Sequence, residues 1–313
     1  MISVKIGLSG PSTAARQGRE AFFDYLDTIE ALEWDSVWFS DRIVGPGWRM
    51  DPMAGMAMVA AHSNRLKFGT SVLLMSMRNP VAMAKELATI DALSGGRRLI
   101  LAVGVGQESP VEYQAMGVEK RERGRRLDEA MALMRRLWTE DRVTHASEFV
   151  KLNEASIGVH PASPNIPVWV GGRSEPSFRR TGVLGDGWLP SQVTPEEVAA
   201  GIERIRLHAA EAGRVVPDDH YGLQVSCYLV ERGPVPASAM ERLLARRTDV
   251  MPEAINLVGT PDAVMARLRE YVDAGATKFV FNPACGPDEL DAQLRLQAEA
   301  IVQPIHRKQV VFG

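Results

Sequence analysis

The chain has 313 residues, of which 45% are hydrophobic and 24% charged, and its formal net charge is −3. This balance excludes a disordered or fibrous chain and lacks the basic excess that is typical of nucleic-acid-binding domains. The length suffices for a large core without a stabilising disulfide or metal. Cys227 and Cys285 stand far apart and outside any CxxC spacing, which is typical of a reducing compartment. With no signal peptide and no apolar run of membrane length, we expect a cytoplasmic protein.

Short apolar runs alternate along the chain with longer segments of helical period. Residues 98–105 are almost continuously apolar, as expected of a strand buried on both faces of a parallel sheet. The other strands are predicted at residues 4–9, 36–40, 66–74, 168–170, 187–189, 223–230 and 278–281. Helices are predicted at residues 17–32, 52–61, 81–93, 122–138, 195–212, 261–274 and 288–302. Asn79 as N-cap and Pro80 at the first helical position open the third of these helices.

Strands that alternate with helices eight times are the pattern of a (β/α)8 TIM barrel, an α/β fold. A doubly wound open sheet is the alternative. Two segments, at about 141–167 and 231–259, exceed ordinary loop length, and the second is predicted to contain a helix over 238–246. We interpret both as insertions in one barrel domain that spans residues 1–313.

In a barrel of this kind the chemistry lies where the strands end. Asp41 and Arg42 follow the second strand and lead into a loop that carries Trp48. We expect Asp41 to hydrogen-bond a cofactor or substrate, Arg42 to supply a fixed positive charge and Trp48 to cover a ligand. An ion pair on the surface at the end of the strand is the alternative.

Glycines mark the ends of the fourth and fifth strands. Gly104 and Gly106 would let a ligand approach the backbone closely, and Gln107 and Glu108 follow them. No third glycine completes a dinucleotide-binding GxGxxG motif. After the fifth strand, Gly171, Gly172, Arg173 and Ser174 precede a helix; amides at a helix N-terminus favour an anion, so this segment predicts a phosphate site. A tight turn with an N-cap is the alternative, and Ser191 is a further candidate for the same site.

Two methionines follow the third strand, Met75 and Met77. They either pack in the core or line an adaptable apolar substrate pocket. The six histidines show no HxH or HExxH spacing, so no metal site is predicted.

Several segments in order along the chain resemble the bacterial luciferase-like superfamily, especially its subgroup that uses the deazaflavin coenzyme F420. The resemblance is carried by VWFSD (Val37–Asp41), GTSVL (Gly69–Leu73), NPVAMAKELATIDALSGGR (Asn79–Arg97), LAVGVG (Leu101–Gly106), RGRRLDEAMALMRRLWT (Arg123–Thr139), VWVGGRSE (Val168–Glu175) and LGDGWLP (Leu184–Pro190). The fold of that superfamily is a (β/α)8 barrel.

The resemblance implies roles for particular residues of this chain. Ser71 and Val72 match a pair that often forms a non-proline cis peptide behind the flavin ring. Asp41 matches an acidic position near the polar edge of the ring. Gly171, Gly172 and Arg173 match the segment that holds the cofactor phosphate, with Ser191 nearby.

The sequence also departs from hydride-transferring members of the superfamily. They often have His where this chain has Arg42, and some have a proton-donating Glu where it has Gln107. Gln107 cannot donate a proton as an acid, so the resemblance leaves the general acid unassigned. Gln107 is expected to hydrogen-bond the ring or substrate together with Asp41, and Gly106 lies beside it.

The resemblance implies an oxidoreductase that transfers a hydride between F420 and a small organic substrate. An FMN-dependent monooxygenase that uses reduced flavin and O2 is the first alternative, and a non-catalytic flavin-binding protein is the second. A homodimer is expected, with a separate flavin or F420 reductase as a further partner, and without nucleic acid or membrane as partners.

Overall fold

The computed structural model describes residues 3–106, 109–163, 165–243, 247–310 and 312. Eleven strands are present in this part of the chain: β1 Lys5–Ser9, β2 Ser36–Phe39, β3 Lys67–Leu73, β4 Leu99–Val103, β5 Val143–Ala146, β6 Lys151–Ala155, β7 Val168–Val170, β8 Gly187–Trp188, β9 Gly222–Leu229, β10 Leu257–Gly259 and β11 Lys278–Pro283. Each of the eight predicted strands is present, with ends that differ by a residue or two. β5, β6 and β10 were not predicted and lie inside the two predicted insertions.

The helices alternate with these strands. They are α1 Ser12–Ala15, α2 Arg19–Ala31, α3 Pro52–His62, α4 Pro80–Leu93, α5 Pro110–Ala115, α6 Arg123–Thr139, α7 Glu175–Leu184, α8 Pro195–Glu211, α9 Ala237–Leu243, α10 Pro261–Asp273, α11 Leu290–Gln297 and α12 Gln303–His306, the last two joined by a π-helical turn at Ala298–Val302. The predicted cap of α4 is confirmed, since the Asn79 side chain accepts hydrogen bonds from the amides of Val81 and Ala82. None of the described helices is long and apolar enough to cross a membrane.

Nine of the strands form one curled parallel sheet in the order β10-β9-β11-β1-β2-β3-β4-β7-β8. The last strand, β11, pairs with the first, β1. Isolated parallel bridges from Trp188 to Tyr221 and from Ser191 to Gln224 bring the β8 edge against the N-terminal half of β9. The α/β class predicted from the sequence is confirmed. β5 and β6 form a separate antiparallel hairpin.

Alternate residues of the strands pack on the two faces of the sheet, as the two-residue period of a strand requires. Val37 and Phe39 of β2 belong to the large core beneath the helices, whereas Trp38 between them belongs to a second cluster. The members of that second cluster come from five segments of the sheet: Trp38, Ala102, Trp169, Leu189 and Val280. Burial of both faces explains why these strands are continuously apolar in sequence.

A buried ion pair joins the starts of two strands. Lys278 begins β11, and its Nζ donates hydrogen bonds to the Asp35 carboxylate and, at 2.9 Å, to the Ser36 hydroxyl. Burial opposes ionisation of Asp35, but the neighbouring Lys278 and Lys67 outweigh it and hold the Asp35 pKa well below its ordinary value. This pair lies at the end of the strands opposite to the one at which ligands bind in barrels and open α/β sheets.

Candidate active site

A cavity of about 1110 Å³ opens at the C-terminal ends of the sheet strands. Its walls come from segments at or just after the ends of most strands, including Ser9, Ser40, Ser71, Gly104, Gly171, Leu189, Ser226 and Asn282. This volume lies slightly above the usual range for small-molecule and cofactor sites, about 300–1,000 Å³. The position agrees with the expectation that the chemistry lies where the strands end.

The structure brings most of the predicted site residues together around this cavity. Its lining includes Asp41, Arg42, Trp48, Ser71, Val72, Gly106, Gly171, Gly172 and Ser191. Gln107 and Glu108 lie outside the described residues, so the prediction for Gln107 stays a prediction. Within the part of the chain that the structure describes, no group of three or more His, Cys, Asp or Glu side chains is arranged to hold a metal ion.

β3 carries the floor of the cavity. The peptide bond between Ser71 and Val72 is cis, as the resemblance implied, and the β3–β4 register shifts between Ser71 and Leu73. The Val72 side chain lies between two glycines: a Cβ atom placed at Gly104 or at Gly171 would lie 2.7 Å from a Val72 methyl carbon. These glycines therefore make room for Val72, in addition to any room that they leave for a ligand.

The Ser71 hydroxyl lies at the same floor. The residue is only 6% exposed, and its Oγ has no hydrogen-bond partner among the described residues. An unpaired buried hydroxyl costs free energy of about 1–3 kcal/mol. A polar ligand atom in the cavity would supply the missing partner.

The Asp41 side chain is completely buried and is already paired. Its Oδ2 accepts from the Leu74 amide and from Arg78 Nε, both at 3.0 Å, and its Oδ1 accepts from Arg78 Nη2 at 2.8 Å. Burial raises the Asp41 pKa, and the hydrogen bonds from Arg78 and Leu74 oppose that rise. Asp41 lines the cavity, so the prediction that it hydrogen-bonds a cofactor or substrate stays a prediction, and the structure adds that Arg78 and Leu74 already bind both of its oxygens. The ion pair at the end of β2 is formed with Arg78 and is buried, not on the surface.

The loop after β2, residues 42–50, is fastened at both ends by Arg78. Besides Asp41 before the loop, the Arg78 guanidinium binds Asp51 after it, with Nη2 to Oδ2 at 2.9 Å. Asp51 in turn caps α3 by accepting from the Met53 and Ala54 amides. Trp48 lies in this loop and is 47% exposed at the rim of the cavity.

Glu112 also holds this loop, and sequence reasoning missed it. It is 3% exposed and lines the cavity. Its Oε1 accepts from the amides of Ile43 at 2.7 Å and Val44 at 3.3 Å. Its Oε2 has no hydrogen-bond partner among the described residues. Glu112 follows the Ser109 N-cap of α5, a helix that the sequence analysis did not predict.

The N-terminus of α7 forms the polar end of the cavity. Gly172 has φ +100°, and a Cβ there would lie 2.5 Å from Ser177 Oγ, so only glycine fits. Ser174 and Ser177, whose hydroxyls lie 3.2 Å apart, line the cavity together with Arg180. Arg180 is also bound to Asp128. Backbone amides, hydroxyls and a guanidinium are the groups that bind phosphate in proteins.

Three predicted side chains do not line the cavity, and these predictions are corrected. Arg173 donates from its Nη1 to the Gln192 carbonyl at 2.8 Å and is not among the residues that line the cavity, whereas Arg180 is. Met75 is fully buried in the main core. Met77 packs with Leu74, Tyr113 and Val118 beneath Gly106. Both methionine side chains pack in apolar clusters and therefore do not form a wall of the cavity.

Comparison with known families identifies this architecture. The model of the luciferase-like monooxygenase family matches residues 1–233. The chain belongs to this family. The sequence-based identification and the prediction of an enzyme of the luciferase-like type are thereby confirmed.

Relatives and solved structures with several activities resemble this luciferase-like chain. An F420-dependent glucose-6-phosphate dehydrogenase of Kineococcus radiotolerans is 28% identical, over 97% of both chains. The structure of an F420-dependent secondary alcohol dehydrogenase, bound to an F420-acetone adduct, superimposes with a TM-score of 0.80 at 17% identity, covering 98% of this chain and all of the other. The oxygenating constituent of 3,6-diketocamphane monooxygenase from Pseudomonas putida, in complex with FMN, gives 0.76 at 15% identity over the whole of both chains. At these identities the two structures show the fold alone.

Proposed function

We propose that this luciferase-like protein is an oxidoreductase that transfers a hydride between coenzyme F420 and a small organic substrate. The observation that carries the proposal is the pairing, in one cavity, of a phosphate-type site with an unpaired buried hydroxyl at Ser71. The sequence relative from Kineococcus radiotolerans, named as F420-dependent, favours F420 over FMN. The first alternative function is that of an FMN-dependent monooxygenase that uses reduced flavin and O2. The second alternative is a flavin-binding protein without catalytic turnover.

The residues of the cavity fit such a cofactor. The Gly172 amide, the hydroxyls of Ser174 and Ser177, and Arg180 would hold its phosphate, and Ser191 completes this end, while the Gly171 amide donates to the Val103 carbonyl at 2.8 Å. Ser71, Val72 and Gly106 would contact its ring at the floor, and Gln107, as the resemblance implies, would hydrogen-bond the ring or the substrate. F420, when bound, supplies a ring carbon that accepts or donates a hydride, and the protein supplies orientation and a dry site.

The remaining residues position the substrate and move the proton that accompanies the hydride. Asp41 acts as a positioning residue, because with Arg78 it fixes the start of the 42–50 loop. Arg42 and Trp48 on that loop would cover the substrate and exclude water. Of the two carboxylates that line the described cavity, only Glu112 keeps an unpaired oxygen, so we assign Glu112 as the group that takes up or releases the proton.

The proposal extends to the fold and the assembly. The bridges from β8 to β9 and the pairing of β11 with β1 support a closed (β/α)8 barrel, with residues 1–313 as one domain. Free thiols at Cys227 and Cys285 favour a reducing, cytoplasmic location. A homodimer and a separate F420 or flavin reductase complete the proposal.

The Ser71 hydroxyl gives a direct test. Oxidised F420 is titrated into the purified protein and into Ser71→Ala and Ser63→Ala variants, with fluorescence as the signal. Ser63 is the control because its hydroxyl is buried but already accepts from Arg65 and Leu66, away from the cavity. Ser71→Ala should weaken F420 binding about tenfold without loss of stability, whereas Ser63→Ala should lower stability and leave binding unchanged. Equal F420 affinity in all three proteins would contradict the proposed floor.

A further inference from the structure

A wall of polar side chains, from β9 and β11, lies apart from the phosphate end of the cavity. Ser226 of β9 and Asn282 of β11 are direct partners in the strand register. Gln224 lies two residues before Ser226 and so shares its face of the sheet. All three line the cavity, as does Asn256, which precedes β10. We call Gln224, Ser226, Asn256 and Asn282 the polar wall.

The polar wall keeps most of its hydrogen-bonding capacity unused. The side chains of Gln224, Ser226 and Asn282 have no hydrogen-bond partner among the described residues. Asn256 is 6% exposed; its Nδ2 donates to the Pro252 carbonyl at 2.8 Å, and its Oδ1 has no such partner in the described chain. An apolar substrate against this wall would leave these groups unpaired, at a cost in binding free energy.

Arg242 adds a positive charge to the lining of the cavity that contains the polar wall. It lies on α9 and lines the cavity, and none of the described carboxylates comes within 4.0 Å of its guanidinium. Glu289 interacts with Arg242 electrostatically without contacting it. The Glu289 carboxylate already accepts hydrogen bonds from the Tyr228 hydroxyl at 2.9 Å and the Gly286 amide at 3.2 Å. Arg242 is thus an exposed cation in the lining of the same cavity, and no carboxylate of the described residues contacts it.

We propose that the polar wall and Arg242 bind the substrate, and that this substrate is a small hydroxylated compound bearing one anionic group. Its hydroxyl or carbonyl oxygens pair with Gln224, Ser226, Asn256 and Asn282, and its phosphate or carboxylate pairs with Arg242. A guanidinium binds either anion through paired N–H donors. That the bound compound is the substrate rests on the proposed hydride transfer. The cavity then has two anion sites, one at α7 and one at α9.

The test measures binding of four probes to the full-length protein by calorimetry, with and without F420. Glucose 6-phosphate carries a phosphate, gluconate a carboxylate, glucose only hydroxyls, and cyclohexanol one hydroxyl on an apolar ring. The variants are Arg242→Ala and Arg242→Lys. Arg295→Ala is the matched control, since Arg295 is an exposed arginine that pairs with Asp291 on α11.

At least one anionic probe should bind the wild-type protein 10- to 100-fold more tightly than glucose, and cyclohexanol should bind most weakly. Arg242→Ala should remove the advantage of the anion, Arg242→Lys should restore part of it, and Arg295→Ala should change nothing. The anionic probe that binds more tightly shows whether the substrate carries a phosphate or a carboxylate. The proposal is overturned if no anionic probe exceeds glucose, or if Arg242→Ala leaves its affinity unchanged.

The F420 titration of the same samples separates this proposal from the proposed function. Anion binding that depends on Arg242 in a protein that does not bind F420 would leave the polar wall in place and overturn the hydride transfer. F420 binding without any preference for an anionic probe would overturn the proposal for the polar wall and Arg242 and leave the proposed hydride transfer in place.

Discussion

Val72 occupies the space that a side chain at residue 171 would need: a Cβ placed at Gly171 would lie 2.7 Å from Val72 Cγ1. β3 and β7 are not neighbours in the sheet, since β4 lies between them. Val72 therefore reaches across β4, above Gly104, to the segment after β7. The floor of the cavity and its polar end at α7 are thus in direct contact through one side chain.

We expect Gly171→Ala to weaken F420 binding by about tenfold or more and to lower the free energy of unfolding by about 1–3 kcal/mol, because the new methyl group displaces Val72. Fluorescence titration and denaturant unfolding measure the two effects. Gly286→Ala is the control, since a Cβ there would meet nothing closer than 3.6 Å. An unchanged Gly171→Ala protein would show that Val72 does not set the floor.

Glu112→Gln separates the two roles of this carboxylate. Gln keeps a side-chain oxygen that can accept from the Ile43 and Val44 amides, but it cannot take up a proton. We expect F420 affinity and stability close to those of the wild type, and kcat lower by about 10²–10⁴-fold with a substrate that the wild type turns over. The matched variant is Glu122→Gln, whose carboxylate pairs with Arg126 outside the cavity. Normal turnover by Glu112→Gln over the whole pH range would leave Glu112 with only its structural role.

Arg78→Lys tests the fastening of the 42–50 loop. Lys keeps the charge, but a single ammonium group cannot reproduce the forked contacts of Arg78 with Asp41 and Asp51. The loop contains two trypsin sites, Arg42 and Arg49. We expect trypsin to cleave this loop about tenfold faster in Arg78→Lys, as measured by mass spectrometry of timed digests. Arg295→Lys provides the control, and equal rates in all three proteins would exclude the proposed fastening.

The pair of Asp35 and Lys278 makes part of the stability depend on pH. The folded Asp35 pKa lies below its unfolded value, so the carboxylate contributes stability above about pH 4 and loses it as pH falls towards the folded pKa. Asp35→Asn should therefore lower the free energy of unfolding by about 3 kcal/mol at pH 7, and the difference from wild type should shrink from pH 5 to pH 2. Chemical denaturation at several pH values measures this. Asp218→Asn is the control, since Asp218 forms an exposed pair with Arg206, and its free energy of unfolding should differ little from that of wild type at any pH. An equally small difference for Asp35→Asn would show that the pair of Asp35 and Lys278 contributes nothing to stability.

The sheet could be predicted from the sequence because both its faces are buried. Val168–Val170 is an unbroken apolar run, and its bounds agree with the prediction. The hairpin of β5 and β6 could not be found in this way, because its residues are mostly exposed and include charged side chains at Lys151 and Glu154. β10 is only three residues long, and its pairing with β9 gives no local signal.

The parts of the site that depend on local chain geometry were also predictable. Gly172, Ser191 and the pair of Ser71 and Val72 follow strand ends or match family segments, and all line the cavity. Arg78, Glu112 and Arg180 were missed because each reaches the site from a helix or turn distant in sequence from its partner. Arg173 directly precedes α7, and Arg180 lies within it. The sequence does not show which of these two arginine side chains lines the cavity, and in the structure it is Arg180.

The central claim is tested most directly by titrating the purified protein with oxidised F420 and, separately, with FMN, while following fluorescence quenching. The account predicts tight binding of F420 with a binding constant at least about 100-fold stronger than that of FMN. Tighter binding of FMN would contradict hydride transfer to F420 and move the protein to oxygen chemistry. Binding of neither compound would contradict the assignment of this cavity as a flavin-type cofactor site.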